Sequence, residues 1–217
     1  MSKWIRTSVI LASLVGFCAS SYAVAPGFYV GLMEGPATNS AGTQQAQVSA
    51  TATTPVSAKS NQWGSRIYMG YKVNQYAGVE GGLNYFSTIR YDTKNVNTCS
   101  SVTARVRDFD IVGKADYPLG SFDVFGKAGV AVTYLTTSGA LNPGSDPNNS
   151  SCGKSQYTTK YNPTFSVGAS YDLSQNWVAD LSWNRTSVGS VVGNVDFFAL
   201  GISYHFVNIY CGQFLCS

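Results

Sequence analysis

The sequence predicts an all-β protein, an eight-stranded antiparallel up-and-down transmembrane β-barrel. Three observations point there. Charged residues make up only 12% of the 217, against 44% hydrophobic, whereas a soluble domain carries about 25% charge. After the N-terminus, no apolar run approaches the ~20 residues that a spanning helix needs. Segment after segment alternates apolar and polar residues with period two, the mark of strands with unlike faces.

The elements follow in order. Residues 1–23 read as a secretory signal. Lys3 and Arg6 supply the positive end, residues 7–17 the apolar stretch, and Ser21-Tyr22-Ala23 the small residues a signal peptidase reads. Cleavage is expected after Ala23, with Ala25 as the alternative. Cys18 follows Phe17, where a lipoprotein signal wants a small residue, so lipidation is not expected. The barrel is expected over residues 24–206 and a tail over 207–217.

Eight strands are expected within that span. In 28–33, Phe28, Val30 and Leu32 alternate with Tyr29, Gly31 and Met33. In 65–72, Ile67, Met69 and Tyr71 oppose Arg66, Tyr68, Gly70 and Lys72. In 77–85, Val79, Leu83 and Tyr85 oppose Glu80, Gly82 and Asn84. In 109–117, Phe109, Ile111 and Tyr117 oppose Asp110, Val112, Lys114 and Asp116. In 127–134, Val130, Val132 and Tyr134 oppose Lys127, Gly129 and Thr133. In 165–173, Ser166, Gly168, Ser170 and Asp172 form the polar set. In 177–184, Trp177, Ala179, Leu181 and Trp183 oppose Val178, Asp180, Ser182 and Asn184. In 198–206, Phe198, Leu200, Ile202, Tyr204 and Phe206 share one face.

The connections alternate as well. Long ones cover 35–62, 93–101, 138–157 and 187–195, and short ones fall at 73–75, 118–121 and 174–176. This is the meander of an outer-membrane barrel, with short turns periplasmic and long loops extracellular. Eight strands then place both termini at the periplasmic end. The first long loop, rich in Ala, Thr, Ser and Gln, reads as flexible and polar.

Charge distinguishes the faces. Arg66, Lys72, Glu80, Asp110, Lys114, Asp116, Lys127, Asp172 and Asp180 all fall on the polar face. Arg105, Arg107, Arg185 and Asp196 share the apolar parity, but lie towards the loop ends. A charge on the lipid face at mid-depth costs about 2–4 kcal/mol, so the apolar face is expected to meet lipid. Tyr71, Tyr117, Tyr171, Trp177, Tyr204 and Phe206 gather at the turn ends. Tyr85, Tyr134, Phe165, Trp183 and Phe198 lie towards the loops. Two such belts suit the two membrane–water interfaces.

On these residues the chain resembles a known family. The hairpin Gly70-Tyr71-Lys72-Val73-Asn74-Gln75-Tyr76-Ala77-Gly78-Val79-Glu80-Gly81-Gly82 is similar to the second-to-third strand hairpin of outer membrane protein A-like and opacity-like surface barrels. Gly27-Phe28-Tyr29-Val30-Gly31 and the closing Ile202-Ser203-Tyr204-His205-Phe206 match too. The resemblance covers about residues 26–206. It implies recognition of the last strand by barrel-assembly machinery and an outer-membrane barrel without a peptidoglycan-binding domain. Residues 207–217, with Cys211 and Cys216, depart from a barrel that ends on its aromatic.

Chemistry-bearing residues are few. The inward charges Arg66, Lys72, Glu80, Asp110, Lys114, Lys127, Asp172 and Asp180 are expected to pair across a lumen that eight strands leave just filled. They read either as a structural plug or, as the resemblance suggests, as a gate. His205, the one histidine, faces inward beside Ser203, but spacing alone makes no triad. No enzyme, metal or cofactor is expected. The net charge of +3 is scattered and forms no basic stripe, which excludes nucleic acid as a partner. Cys99 and Cys152 lie in loops on one side and are expected to pair; Cys211 and Cys216 would close a tail loop. Free thiols are the other reading for both. The expected partners are outer-membrane lipid and lipopolysaccharide, barrel-assembly machinery, and host-cell surface ligands. Two roles fit: a surface barrel displaying loops for adhesion or envelope integrity, or a small diffusion pore gated by its inward charges.

Overall fold

In the computed structural model, residues 26–47, 53–59, 61–91, 102–138, 155–189 and 192–206 are described. The expected signal segment, the expected tail, and Cys99, Cys152, Cys211 and Cys216 lie outside them.

Eight strands close the barrel: β1 (Gly27–Asn39), β4 (Gln62–Asn74), β5 (Ala77–Phe86), β7 (Val102–Leu119), β8 (Phe122–Ser138), β9 (Ser155–Asp172), β10 (Trp177–Gly189) and β11 (Gly193–His205). Each pairs antiparallel with its neighbour, and β1 pairs with β11 to complete the ring. Three further strands sit at the loop end: β2 (Thr43–Gln47) pairs with β3 (Thr53–Ser57), and β6 (Ile89–Tyr91) continues the line of β5 along β7.

Each short turn has its own local device. The Asn74 side chain accepts from the backbone N–H of Tyr76 and of Ala77, both at 2.8 Å. Gly120 takes a positive φ of 77° in the β7–β8 turn, a conformation that favours glycine. Ser174 Oγ accepts from the Trp177 N–H at 3.2 Å in the β9–β10 turn.

The outward face is mostly apolar along its middle, with Leu32, Ile67, Leu83, Ile111, Val130, Leu181 and Leu200 exposed; the exposed Glu34, opposite Leu200, interrupts it. Aromatic pairs edge it. Phe28–Tyr71, Phe122–Tyr171 and Trp177–Tyr204 sit at the turn end, with ring centres 4.6–5.1 Å apart. Phe165–Trp183 sits towards the loops at 5.6 Å.

Two expectations need correction. The strands run further towards the loops than the alternation suggests; β7 begins at Val102, β9 at Ser155 and β11 at Gly193. Above the outer belt their polarity inverts. On β7 the outward residues become Arg105 and Arg107, while Ala104 and Val106 turn inward and are buried. On β11, Phe197 and Val195 are buried inward beside the partly exposed Asp196. Water replaces lipid outside, so the apolar face moves inside, as in a soluble barrel.

The first long loop is the second correction. It forms the β2–β3 hairpin, tied down by Ser40 N–H to the Asn194 carbonyl and Lys59 N–H to the Arg90 carbonyl, each 2.9 Å. Val56, only 1% exposed, joins the apolar cluster beneath. A polar composition concealed a well-placed anchor.

Candidate functional site: the barrel lumen

The lumen has two zones. Nearer the turns it is ionic. Arg66 on β4 lies at its centre, 4% exposed. Its guanidinium donates to Glu80 Oε1 at 2.8 Å and to Asp110 Oδ1 at 2.9 Å, with a second, closer contact to Asp110. It also donates to Asn84 Oδ1 at 3.1 Å. Lys127 on β8 holds both Glu80 oxygens at 2.8 Å. The Tyr29 hydroxyl completes the Glu80 shell at 3.0 Å. Asn84 in turn donates to Asp110 at 2.6 Å and to Asp108.

A second group lies closer to the turns. Lys114 meets Asp116 at 2.9 Å, and Lys72 meets Asp123 at 3.2 Å. The Phe125 ring lies within reach of two ammonium groups, Lys114 at 4.7 Å and Lys127 at 4.9 Å from its centre. Asp180 accepts from the Tyr68 hydroxyl at 2.7 Å and from Ser203 at 3.0 Å. Asp172 lines the same chamber, as does His205, which stacks on Tyr29 with ring centres 4.8 Å apart.

Room for the Arg66 side chain comes from glycine on the neighbouring strand. A Cβ on Gly82 would fall 2.5 Å from the Arg66 guanidinium carbon. Alternation identified the inward charges. It did not identify Tyr29, Tyr68, Asn84, Asp108 and Asp123 as their partners, because cross-lumen pairing depends on register and depth.

Towards the loops the lumen is mostly apolar, with Gln62 and Thr137 also buried there. Phe86, Ile89, Val106, Leu135, Val188, Val195 and Phe197 form one buried cluster with Val56 of the hairpin. Phe86 and Phe197 meet edge to face, centres 5.7 Å apart. Small cavities lie along the ionic zone, one beneath Phe197 and one beside His205, each about 10 Å³. That is room for about one water apiece.

The sequence pattern of the outer membrane protein beta-barrel domain matches residues 9–206. The chain belongs to that family. Its outer membrane protein A-like character is confirmed, and the bacterial outer membrane is its location. An uncharacterized protein of Coxiella burnetii is 28% identical over 173 residues, covering 68% of this chain and 70% of the relative. Outer membrane protein A of Yersinia pseudotuberculosis is 24% identical over 154 residues, covering 67% of this chain but only 40% of that longer protein. Two solved structures share the fold. Neisserial surface protein A aligns with a TM-score of 0.52 at 16% identity, over 84% of this chain and 99% of that one. OprG of Pseudomonas aeruginosa aligns at 0.55 and 14%, over 84% and 98%.

Proposed function

We propose that the chain is a non-conducting surface barrel whose role is to display its long loops, in adhesion or in envelope integrity. The observation that carries this reading is the filled lumen. An ionic layer and an apolar layer lie in series, and the two small cavities beside the ionic residues have room for about one water each. In this reading the loops are extracellular and both termini periplasmic. The last strand, closing on Tyr204 and Phe206, is what barrel-assembly machinery recognises. Host-cell surface ligands meet the loops. Catalysis is not proposed: His205 stacks on Tyr29 and lies 3.4 Å from Ser203 Oγ, deep at the turn end.

The first test is conductance. The mature protein is refolded, checked by the shift between unboiled and boiled gel mobility, and recorded in a planar bilayer. A folded protein with a silent bilayer is expected; reproducible steps would sink the reading. Replacing residues 46–53 by a two-residue turn keeps the Val56 anchor and shortens the first loop. Cells carrying that variant should lose host-cell attachment while the barrel still folds.

The second reading, a gated pore, draws on the shared carboxylates. Glu80 is held by both Lys127 and Arg66, and Arg66 also holds Asp110. Such a set could re-pair without leaving a charge bare. Conductance on Glu80→Ala alone would favour it.

A further inference from the structure

One strip of the outer wall has features that barrel packing does not explain. Along the outward face of β7 run Ile111, Phe109, Arg107 and Arg105, and Arg90 on β6 lies beside Thr103 just above them. All three arginines are exposed. Successive outward residues of a strand are roughly 7 Å apart, so the arginines form a ladder rising from the edge of the lipid belt. The Arg107 guanidinium lies 5.1 Å from the ring centre of Tyr85, and Arg105 Nε contacts Thr88 Oγ1 at 3.4 Å. Among the described residues, no outward position of β4 to β9 holds a carboxylate. The other side of the barrel differs. There Arg185 gives two hydrogen bonds to Asp196, at 2.6 and 2.8 Å, which neutralise it.

Directly below the ladder the wall is notched. A groove of about 460 Å³ lies between Ile67, Met69, Leu83, Phe109 and Ile111, with Gly81 at its floor. Gly81 sits between Met69 and Ile111 in register. A Cβ there would meet only the Asp110 carbonyl at 3.7 Å and the Phe109 ring at 4.0 Å, ordinary contacts. The barrel therefore does not require glycine at this position. The groove depends on it, because a large side chain at this position would project into the groove.

We propose that this strip docks one phosphorylated, acylated saccharolipid of the outer leaflet, an acyl chain in the Gly81 groove and phosphate on Arg107 and Arg105. Phe109 lines the groove and Arg107 is the next outward residue, so tail site and head site are contiguous. An ordinary phospholipid carries its single phosphate at one depth. A ladder of two or three cations climbing away from the lipid belt instead matches a headgroup whose negative charges are spread over a sugar. Guanidinium groups suit phosphate through paired, charge-assisted hydrogen bonds. Assigning this end to the outer leaflet rests on the orientation proposed above.

The test uses the refolded mature chain in detergent micelles, where binding does not depend on orientation, so the two readings fail separately. Native mass spectrometry would compare bisphosphorylated lipid A, its dephosphorylated form and phosphatidylglycerol. The wild type should bind the bisphosphorylated lipid most tightly. R105Q/R107Q should weaken it about tenfold or more, since a hydrogen bond to a charged group is worth at least that factor, and should leave the dephosphorylated lipid unaffected. G81L should weaken both forms of lipid A, with the gel shift unchanged. R185Q, outside the strip, should change nothing. Equal binding of phosphatidylglycerol, undiminished binding by R105Q/R107Q or by G81L, or an equal loss with R185Q would overturn the proposal.

Discussion

The ionic and apolar halves of the lumen are built by the same strands and hold together by opposite physics. Around Arg66, the charged side chains are held by one another and by Tyr29 and Asn84, and the zone persists because these charges meet partners. Around Phe197, the cluster is apolar, and the zone persists through burial and close packing. The difference follows from what lies outside the wall. Where lipid surrounds the barrel, the apolar residues face out and the polar ones must satisfy each other inside. Where the strands rise past the outer aromatics, the outer face becomes Arg105, Arg107, Thr136 and Asp196, and the inside becomes a core.

Removing one partner should break the ionic zone most severely. Arg66→Met leaves Asp110 and half of the Glu80 shell uncompensated in a dry interior. The expected loss is about 3–5 kcal/mol, read from urea unfolding of the refolded barrel in micelles. A change below about 1 kcal/mol would mean that water already solvates these carboxylates, contrary to the small cavities seen. In the apolar zone, Phe197→Ala should cost about 3 kcal/mol, as large-to-small core changes do. If it costs nothing, the loop-end cluster does not contribute to barrel stability.

Conductance sharpens the comparison further, because the zones lie in series. Phe197→Ala alone should stay silent behind the ionic layer, and Glu80→Ala alone behind the apolar one. The double variant Glu80→Ala/Phe197→Ala should show steps. Steps from Glu80→Ala by itself would show that the apolar cluster does not seal. The smallest expected effect is that of Tyr68→Phe. Asp180 loses one donor at 2.7 Å but keeps Ser203 at 3.0 Å. A loss of about 1.5 kcal/mol is expected from one hydrogen bond to a charged group; a loss as large as that of Arg66→Met would show that Tyr68 acts through its ring packing.

Much of this was legible in the sequence because a bilayer demands a regular signal. Period-two alternation located all eight barrel strands, and the parity of Arg66, Glu80 and Lys127 oriented them. The same alternation continues past the outer belt with reversed sign, as in Arg105 and Arg107 against Ala104 and Val106. The outward arginines were recognisable as loop-end residues. Their inward partners were not recognisable as a core, because Val106 or Phe197 alone looks like any strand residue. The hairpin anchor was hidden for a related reason. Val56 stands in a stretch rich in Ala, Thr, Ser and Gln, and its burial depends on a cluster drawn from strands around the whole barrel, β1 included. Pairing within the ionic zone depends on register, which alternation does not encode.

The join between β1 and β11, with Val30 opposite Tyr204 and Leu32 opposite Ile202, has a kinetic consequence. These partners come from the two extremes of the barrel's sequence, so their pairing has the greatest loop-closure cost of any in the molecule. Until it forms, two unpaired edges face a medium that offers no hydrogen bonds. Closure is therefore expected to come late and all at once. A chain cut short before β11 forfeits the whole ring, not one eighth of it.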